Sequence, residues 1–543
     1  MAIEFPETFN LADYYLNRRI DEGMGAKTAV LFGRRAYSYA EVAQRTGALS
    51  RYLLDLGLRR DERVYIVLPD SPAFVWSLFA TWKAGAVVAM GNPLAPAADL
   101  AYVLDYIHAR VLITVPAVAE ALAPQLNEHR DLDAILLVPD VATGEDPEEL
   151  LMLTASLREA AESSGILVGT LAAAVAEGES SSHRAPLVQR DDMACWLFTS
   201  GSTGRPKAAM HSHRDFAFNT EVYAKATLGY RADDITVSVP RLFFGYATGT
   251  NLLFPFAVGA TAALFSEPPE PQSLARAIAL YRPSIVTNVP TMLGKLLASA
   301  PDLDWSSVRF QLSAGEALPP TLLARFMEHH GTDIYDGIGS AEMFHIYCTN
   351  RPGDIKPGSL GRVVAGYELK VLPTDAEGPG AAEVTPGDTG VLWVKGDSVA
   401  LGYYGDRDKS WRTFYGHWCR TGDLFSCDAE GYLWFRGRAD DLFKVNGRWM
   451  APQEVEECLL QHPAVAACAV VPIQIDGLTK PKALVVRTAA YAEGDITTEL
   501  QRHVRDHIAR HKYPRVVEYV ADLPKNDRGK LDRKALKAGA TAT

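Results

Sequence analysis

The sequence is poor in cysteine and has no long hydrophobic run, and both shortages exclude classes of protein. Its 543 residues include six cysteines, none in a C-x-x-C pair, so neither a disulfide framework nor a zinc site is expected from their spacing. No apolar stretch is long enough to span a bilayer, and Met1–Pro6 lacks the basic and then apolar pattern of a signal peptide. We therefore expect a cytoplasmic protein that does not cross a membrane.

Positive charge is scarce as well. The chain has 54 Lys and Arg against 66 Asp and Glu, and its formal net charge of −12 argues against a nucleic-acid partner. Apolar residues make up 48% and charged residues 22%, which is ordinary for a globular protein. A chain of 543 residues is too long for one core, so two or three domains are expected.

Apolar strands alternate with amphipathic helices over much of the chain. This pattern predicts parallel sheets covered on both faces, and its two successive runs predict two stacked αβ subdomains. The predicted strands are Val64–Leu68, Val87–Met90, Val111–Val115, Ile285–Asn288, Phe310–Ala314 and Ile334–Gly337, and the helices include Pro72–Lys83, Ala98–His108 and Pro320–His330. The polar residues Gly178–Ser182 predict an exposed loop.

The pattern of apolar and turn-forming residues changes after Gly358. Short apolar runs between Gly, Pro and Asp as far as Tyr432 predict a small β subdomain, and a compact α+β pattern begins at Glu454. We therefore predict an α/β protein with a large N-terminal domain over residues 1–437, a hinge at 438–441 and a mobile C-terminal α+β domain over 442–543.

A stretch rich in glycine and hydroxyl groups is the main functional candidate. It reads Thr199, Ser200, Gly201, Ser202, Thr203, Gly204, Arg205, Pro206, Lys207 and lies between two apolar runs. Glycines let backbone N–H groups converge on an anion, and Lys207 adds a positive charge, so a triphosphate would suit this loop. A Walker A loop is rejected because the lysine follows proline and the flanks predict strands rather than a helix. A plain surface turn remains the alternative.

Further polar stretches follow predicted strands, where α/β proteins bind ligands. They are Ser313–Glu316, Asp336–Glu342, the acidic turn Thr421–Asp423 and the basic segment Pro524–Arg533. Glu342 could ligate magnesium, and Asp423 could accept hydrogen bonds from ribose hydroxyls. Each stretch taken alone also fits an ordinary turn or a solvated charge run.

In order and spacing, these motifs resemble the acyl-adenylate-forming (ANL) superfamily. The resemblance spans nearly the whole chain, from the loop at 199–207 to Gly529-Lys530, and includes Gly437–Asp441. It implies a two-step reaction with ATP, Mg²⁺ and coenzyme A, in which a carboxylate becomes an acyl-adenylate and then a thioester.

The resemblance also implies roles for individual residues. Lys530 and Lys207 would be catalytic, with Lys530 bridging carboxylate and phosphate and Lys207 steering pyrophosphate. Glu342 would ligate magnesium, Asp440 would be the hinge residue, and Gly447 would line the pantetheine tunnel. The nucleotide site would comprise Thr199, Ser200, Gly201, Ser202, Thr203, Gly204, Gly315, Glu316, Asp336, Gly337, Ser340, Asp423 and Arg438.

Two positions depart from the superfamily pattern. Many members have threonine before the magnesium glutamate, where this chain has Ala341, and the missing hydrogen bond would cost about 1 kcal/mol unless Ser340 replaces it. The aromatic residue that stacks on adenine is replaced by Ile338.

Within the superfamily, the chain resembles the benzoate–CoA ligase branch. The matching segments are Arg241–Tyr246, Asp336–Gly339, Met343–Ile346 and Asp440–Trp449. This resemblance implies an apolar pocket for one aromatic ring, walled by Phe244, Gly245, Tyr246, Ala314, Gly339 and His345. No charged residue is expected there to meet an α-amino group, which argues against an amino-acid adenylation domain. His345 either packs in the core or faces the ring, and the second arrangement would favour a hydroxy- or aminobenzoate.

Two rival functions remain open at this stage. One is loading of the aryl group onto the phosphopantetheine of a carrier protein in trans. The other is a nucleotide-binding sensor that has lost turnover, which only Ala341 favours. The expected assembly is a monomer or a homodimer.

Overall fold

The fold consists of two compact units. The computed structural model describes residues 3–139, 155–200, 205–445, 448–475, 477–524, 531–533 and 535–537. The first unit comprises Met1–Leu369 with Val394–Cys419, and the second comprises Lys370–Trp393 with Arg420–Thr543. The predicted domain limits and the hinge at 438–441 stay predictions.

A seven-stranded sheet of the first unit leads to the candidate phosphate loop. Neighbouring strands are parallel except for the last pair, which is antiparallel. In spatial order the strands are Leu167–Thr170, Ala134–Leu137, Ala109–Thr114, Arg63–Val67, Val87–Met90, Met193–Ser200 and Pro206–Ser212. Their apolar side chains form a core with the flanking helices, as continuous apolar strands require.

A nine-stranded sheet forms the rest of the scaffold in this unit. Its inner strands are parallel, and an antiparallel strand pair closes each edge. In spatial order the strands are Arg362–Val363, Ile346–Thr349, Asp333–Gly339, Phe310–Ala314, Ile285–Asn288, Ile235–Ser238, Thr261–Leu264, Thr28–Phe32 and Arg35–Ser38. The α/β class predicted from the alternating pattern is therefore confirmed.

The helices of this unit connect the parallel strands. Several begin with proline in the first turn, where its missing N–H costs nothing. The α-helices are Arg18–Asp21, Tyr39–Asp55, Pro72–Lys83, Ala97–Tyr106, Pro116–Leu122, Ala155–Ser164, Leu171–Ser180, His213–Asn219, Gly245–Thr248, Phe254–Val258, Pro271–Tyr281, Pro290–Ser299, Pro320–His330 and Arg407–Thr413. Wider π-helical turns occur at Asp13–Asn17, Thr220–Leu228 and Gly249–Leu253, and 3₁₀ turns at Ala123–Glu128 and Ala341–Met343. No helix in these parts of the chain is long and apolar enough to cross a membrane.

The prediction of a loop at Gly178–Ser182 is wrong for its first half. Gly178 belongs to the helix Leu171–Ser180, and a Cβ added there would lie 2.0 Å from the carbonyl oxygen of Ala48. Arg51 donates to the Gly178 carbonyl at 2.7 Å. Glycine is therefore the residue that lets two helices meet, rather than the start of a loop.

The second unit has its own core. The strand Leu433–Arg438 belongs to this unit and shares a five-stranded sheet with Glu368–Leu372, Gly390–Lys395, Phe414–Tyr415 and Trp418–Cys427. Phe443–Val445 and Arg448–Met450 form a separate antiparallel pair in the same unit. A three-stranded sheet of Val465–Ile475, Leu478–Arg487 and Val516–Tyr519 packs with the helices Pro452–Leu460 and Thr497–His507. The 3₁₀ turns are Ala439–Asp441, Ala489–Tyr491 and Arg510–Lys512.

Candidate active site

The ends of the candidate phosphate loop are held by a strand pair. Thr199 and Ser200 end the strand Met193–Ser200, and Thr199 pairs with Lys207 on the antiparallel neighbour. Both flanks are therefore strands, as predicted. Gly201, Ser202, Thr203 and Gly204 lie outside the described residues.

Lys207 is paired with a carboxylate that the sequence analysis missed. Its Nζ donates to Asp406 Oδ2 at 2.6 Å, with the two side chains 16% and 33% exposed. This hydrogen bond lowers the pKa of Asp406. Asp406 also caps the helix Arg407–Thr413 by accepting from the Lys409 N–H. Gly405-Asp406 is a recognisable helix start, but the sequence offers no sign of its partner.

Glu342 lies in the 3₁₀ turn Ala341–Met343. Tyr403 donates its hydroxyl to Glu342 Oε1 at 2.7 Å, and the Ala400 N–H donates to the Glu342 carbonyl at 2.8 Å. Burial raises the pKa of the Tyr403 phenol, so it stays a donor at neutral pH. The carboxylate is thus held in a fixed direction by one of its two oxygens.

His211 forms a hydrogen bond to the same 3₁₀ turn, Ala341–Met343. This fully buried ring lies 2.6 Å from the carbonyl oxygen of Ala341 through Nε2 and 2.9 Å from Asp215 Oδ2 through Nδ1. The ring therefore connects the Ala341 carbonyl to Asp215, which lies in the helix His213–Asn219. His211 was not predicted, since nothing in its local sequence separates it from a core histidine.

Phe344 makes a strained turn between Glu342 and His345. Its backbone has φ 65° and ψ −56°, and the His345 N–H donates to the Met343 carbonyl at 2.8 Å. This is a γ-turn with positive φ, a form that is rare outside glycine and costs on the order of 1–3 kcal/mol. The Phe344 ring packs 4.1 Å from the Phe216 ring, which holds the turn in place.

His345 is buried and neutral, and only one of its two ring nitrogens has a hydrogen-bond partner among the described residues. Its Nε2 lies 2.9 Å from the Tyr246 carbonyl, which can only accept, so Nε2 carries the proton. Burial lowers the pKa of His345 to about 3. Within the described residues, neither His345 Nδ1 nor the Tyr246 hydroxyl has a hydrogen-bond partner. His345 is therefore packed and still offers one unpaired acceptor.

Aromatic rings surround His345. Ring centroids lie 5.3 Å away for Tyr246, 5.5 Å for Tyr223 and 4.7 Å for Phe254. A Cβ added at Gly249 would lie 2.5 Å from His345 Cδ2 and Nε2, whereas one added at Gly245 would lie 3.3 Å from Leu197 Cδ1 and 3.4 Å from the Phe344 carbonyl. Among the predicted pocket residues, Gly245 and Tyr246 lie in one helical turn, and Phe244 is its N-cap.

The strand Asp333–Gly339 carries several of the other predicted residues. Gly337 pairs with Ala314 across parallel strands, and a Cβ at Gly339 would lie 2.5 Å from the His345 carbonyl oxygen, so no larger residue fits. Asp336 is 5% exposed, and its Oδ1 has no partner among the described residues. Burial raises the pKa of Asp336 to about 8, so the carboxyl is mostly protonated at pH 7.

Three other residues predicted to bind nucleotide are Gly315, Glu316 and Ser340. Gly315 follows the strand Phe310–Ala314 with φ 90°. Glu316 Oε2 accepts from the backbone N–H of Thr291 at 3.1 Å and from its hydroxyl at 2.7 Å. The Ser340 hydroxyl is buried without a partner among the described residues.

Asp423 and Arg438 meet in the second unit. Their Cα positions pair across two antiparallel strands, and Arg438 Nη1 donates to Asp423 Oδ1 at 2.8 Å. The prediction of a turn at Thr421–Asp423 is wrong, because this segment lies within the strand Trp418–Cys427. Gly422 bends that strand with φ 75°, which explains why the sequence resembles a turn. Asp440 is exposed in the turn Ala439–Asp441, whereas Gly447 and Lys530 lie outside the described residues.

Comparison with known proteins identifies the family of the chain. The AMP-binding enzyme family matches residues 17–404, and the AMP-binding enzyme C-terminal domain matches residues 454–530. The chain is 36% identical over 542 residues to a benzoate–CoA ligase of Thauera aromatica, covering 99% of this chain and 97% of that one. It is 34% identical to a 4-hydroxybenzoate–CoA/benzoate–CoA ligase of Rhodopseudomonas palustris, covering 97% and 94%.

Solved structures of CoA ligases are also similar to this chain. The anthranilate CoA ligase AuaEII in complex with anthranoyl-AMP is similar, with a TM-score of 0.87 and 33% identity, covering 99% of this chain and 98% of that one. A benzoate CoA ligase from Burkholderia xenovorans has a TM-score of 0.82 and 33% identity, covering 97% and 100%. The chain therefore belongs to the AMP-binding enzymes, the acyl-adenylate-forming superfamily that its motifs resemble.

Proposed function

We propose that the protein is an AMP-forming aryl–CoA ligase. It joins an aromatic carboxylate to ATP as an aryl-adenylate and then transfers the aryl group to coenzyme A. The observation that carries the proposal is the ring-lined surround of His345, two residues beyond the Glu342 turn, in a chain 36% identical to a benzoate–CoA ligase. An aromatic acid bound beside Tyr246 would place its carboxylate towards the nucleotide.

The first step is a charge problem. A carboxylate oxygen attacks the α-phosphorus of ATP, and the bond to pyrophosphate breaks, so an anion must approach a polyanion. Lys207, released from Asp406, would hold phosphate oxygens, and Lys530 would bridge the two reactants. In the second step, the thiol sulfur of coenzyme A attacks the acyl carbonyl, and the C–O bond to AMP breaks.

Glu342 fits the requirements of a magnesium ligand. It offers a carboxylate oxygen, the donor that Mg²⁺ prefers, and Tyr403 fixes the other oxygen at 2.7 Å. Bound Mg²⁺ would neutralise part of the triphosphate charge. His211 and Asp215 support the same turn through the Ala341 carbonyl and so act as positioning residues.

The unpaired polar atoms favour a substituted ring. His345 Nδ1 can only accept a hydrogen bond, and the buried Tyr246 hydroxyl can donate or accept. Leaving such groups unpaired costs about 1–3 kcal/mol each, so a ring hydroxyl or amino group that reached them would be selected over hydrogen. The proposed substrate is therefore a hydroxy- or aminobenzoate ahead of benzoate itself.

Acid-dependent release of pyrophosphate tests the proposal. The acids are benzoate, the hydroxy- and aminobenzoates, phenylacetate and a medium-chain fatty acid, each with and without coenzyme A. Release with the benzoates that rises with coenzyme A, and an aryl–CoA product seen by mass spectrometry, would support the ligase. Release that ignores coenzyme A would favour loading of a carrier protein, and ATP binding without release would favour the sensor.

A further inference from the structure

A cluster of metal-ligating side chains lies in the second unit, and none of its three residues has a role in the proposed reaction. One ligand atom each from Cys458, His503 and His507 lies within 4.8 Å of the other two. The cysteine is in the helix Pro452–Leu460, and both histidines are in the helix Thr497–His507. Cys458 and His503 are 45 residues apart, so the spacing of cysteines in the sequence could not predict the cluster.

The helix geometry arranges the two histidines as a chelating pair. Residues four apart lie on the same face of a helix, the spacing by which two histidines hold one zinc ion in metalloproteases. The ring centroids of His503 and His507 are 4.3 Å apart. His507 Nδ1 lies 2.8 Å from the His503 carbonyl, which must accept, so Nε2 of His507 keeps its lone pair. Metal-bound histidines usually have this hydrogen bond to a carbonyl.

A hydrogen bond holds one of the histidines beside the buried cysteine. Cys458 is 3% exposed, whereas His507 is exposed, so the cluster extends from the surface towards the core. His503 Nε2 is 3.0 Å from the Cys458 carbonyl, a hydrogen bond that fixes the ring beside the sulfur.

Other groups border the cluster without competing for its centre. The His462 ring lies 5.2 Å from the His503 ring, but its Nε2 is paired with Glu499 at 3.2 Å and its Nδ1 accepts from the Ala464 N–H at 3.3 Å. His507 is exposed, which leaves an entry path and room for water. The cluster thus offers three potential ligand atoms that lie close enough together for one ion to contact all of them.

We propose that Cys458, His503 and His507 bind one borderline-soft divalent metal ion, with Zn²⁺ as the best match. One thiolate and two imidazoles with an open position form a donor set that tetrahedral zinc uses, whereas Mg²⁺ and Ca²⁺ require oxygen. The ion would link the two helices that flank the three-stranded sheet. The proposal does not rest on the proposed ligase activity.

Cobalt titration of the full-length protein tests the site. Co²⁺ is added to the reduced, metal-free protein without nucleotide, and absorption is followed in the near ultraviolet and the visible. We expect one equivalent to give a thiolate-to-cobalt charge-transfer band together with tetrahedral d–d bands, and Zn²⁺ to bleach both. Proton release on Zn²⁺ binding, measured in two buffers by calorimetry, should accompany thiolate formation.

Matched variants assign the ligands. Cys458→Ser should abolish the charge-transfer band, and His507→Ala should weaken Co²⁺ binding by at least about tenfold. Cys427→Ser and His511→Ala remove the same side-chain types from the same unit, where Cys427 is only partly buried, and should leave both readouts unchanged. Because the His507 side chain is exposed, we expect the His507→Ala protein to fold even if the Cys458→Ser protein does not. A titration without a thiolate band, or one in which His507→Ala binds Co²⁺ like the wild type, would overturn the site.

Discussion

Gly249→Ala is expected to impair the acid-binding side of the proposed reaction by displacing His345. The added Cβ would lie 2.5 Å from His345 Cδ2 and Nε2 and 2.9 Å from Phe254 Cζ. Ordinary carbon contacts are about 3.5–4.0 Å, so the ring must move by roughly 1 Å. Tyr246, Tyr223 and Phe254 enclose the ring, and no flexible side-chain end is available to absorb this movement.

The size of the effect follows from two costs. Overpacking of this kind costs about 1–3 kcal/mol, and stretching the 2.9 Å bond from His345 to the Tyr246 carbonyl costs about 1 kcal/mol more. If about half of this total falls on substrate binding, kcat/KM for the aromatic acid should fall by about fivefold to thirtyfold. KM for ATP should change little, because the atoms nearest the added Cβ belong to His345 and Phe254, neither of which is proposed to bind nucleotide.

Gly294→Ala is the matched control. It adds the same methyl group to the helix Pro290–Ser299, which carries no predicted pocket residue, and the nearest atom is Leu322 Cδ2 at 3.9 Å, an ordinary contact. Its kcat/KM should stay within about threefold of the wild type. Both variants are assayed by pyrophosphate release over a range of acid concentrations, with thermal melting as the folding check. A Gly249→Ala protein with wild-type kcat/KM for the acid would refute the packing argument.

Three further predictions concern charge. Lys207→Met should lower kcat for pyrophosphate release by about tenfold or more. Asp406→Asn should not raise KM for ATP, because this change frees Lys207 from its ion pair. A raised KM would show that Asp406 assists binding. Wild-type stability should fall by about 1.4 kcal/mol between pH 7 and pH 9, since the Asp336 pKa of about 8 exceeds its unfolded value and the native state loses the extra proton over that range. Asp336→Asn should flatten this slope in urea melts, and equal slopes would contradict it. Lys530→Ala should abolish adenylation but spare thioester formation from supplied aryl-adenylate, and equal loss of both half-reactions would refute that role.

Much of the scaffold was predictable because each sheet is built from local patterns. Val87–Met90 and Phe310–Ala314 are apolar runs bounded by turn residues, and their limits match the prediction. Helix starts were marked by proline, as at Pro320. Gly178 misled the prediction, since its role depends on a second helix that lies far away in the sequence.

The candidate site was predictable only where a motif is continuous. Glu342 and His345 lie in one short segment, so the pattern names both, and the family prediction is confirmed. The sequence did not predict Asp406 and His211, because each forms its hydrogen bond with a residue that is far away in the sequence. The turn at Phe344 escaped for a different reason: positive φ in a phenylalanine is imposed by packing against Phe216 and contradicts local preference.

The pairing of Lys207 with Asp406 has a consequence for ligand discrimination. The lysine already has a counter-ion at 2.6 Å, so an incoming anion must replace a carboxylate rather than fill an empty positive site. A single-charged competitor such as acetate gains almost nothing from that exchange, because one anion is traded for another. A triphosphate gains more, since its remaining charges and oxygens find further donors. With Lys207 in its proposed role, we therefore expect the ion pair to disfavour binding of small anions and to allow binding of a nucleotide.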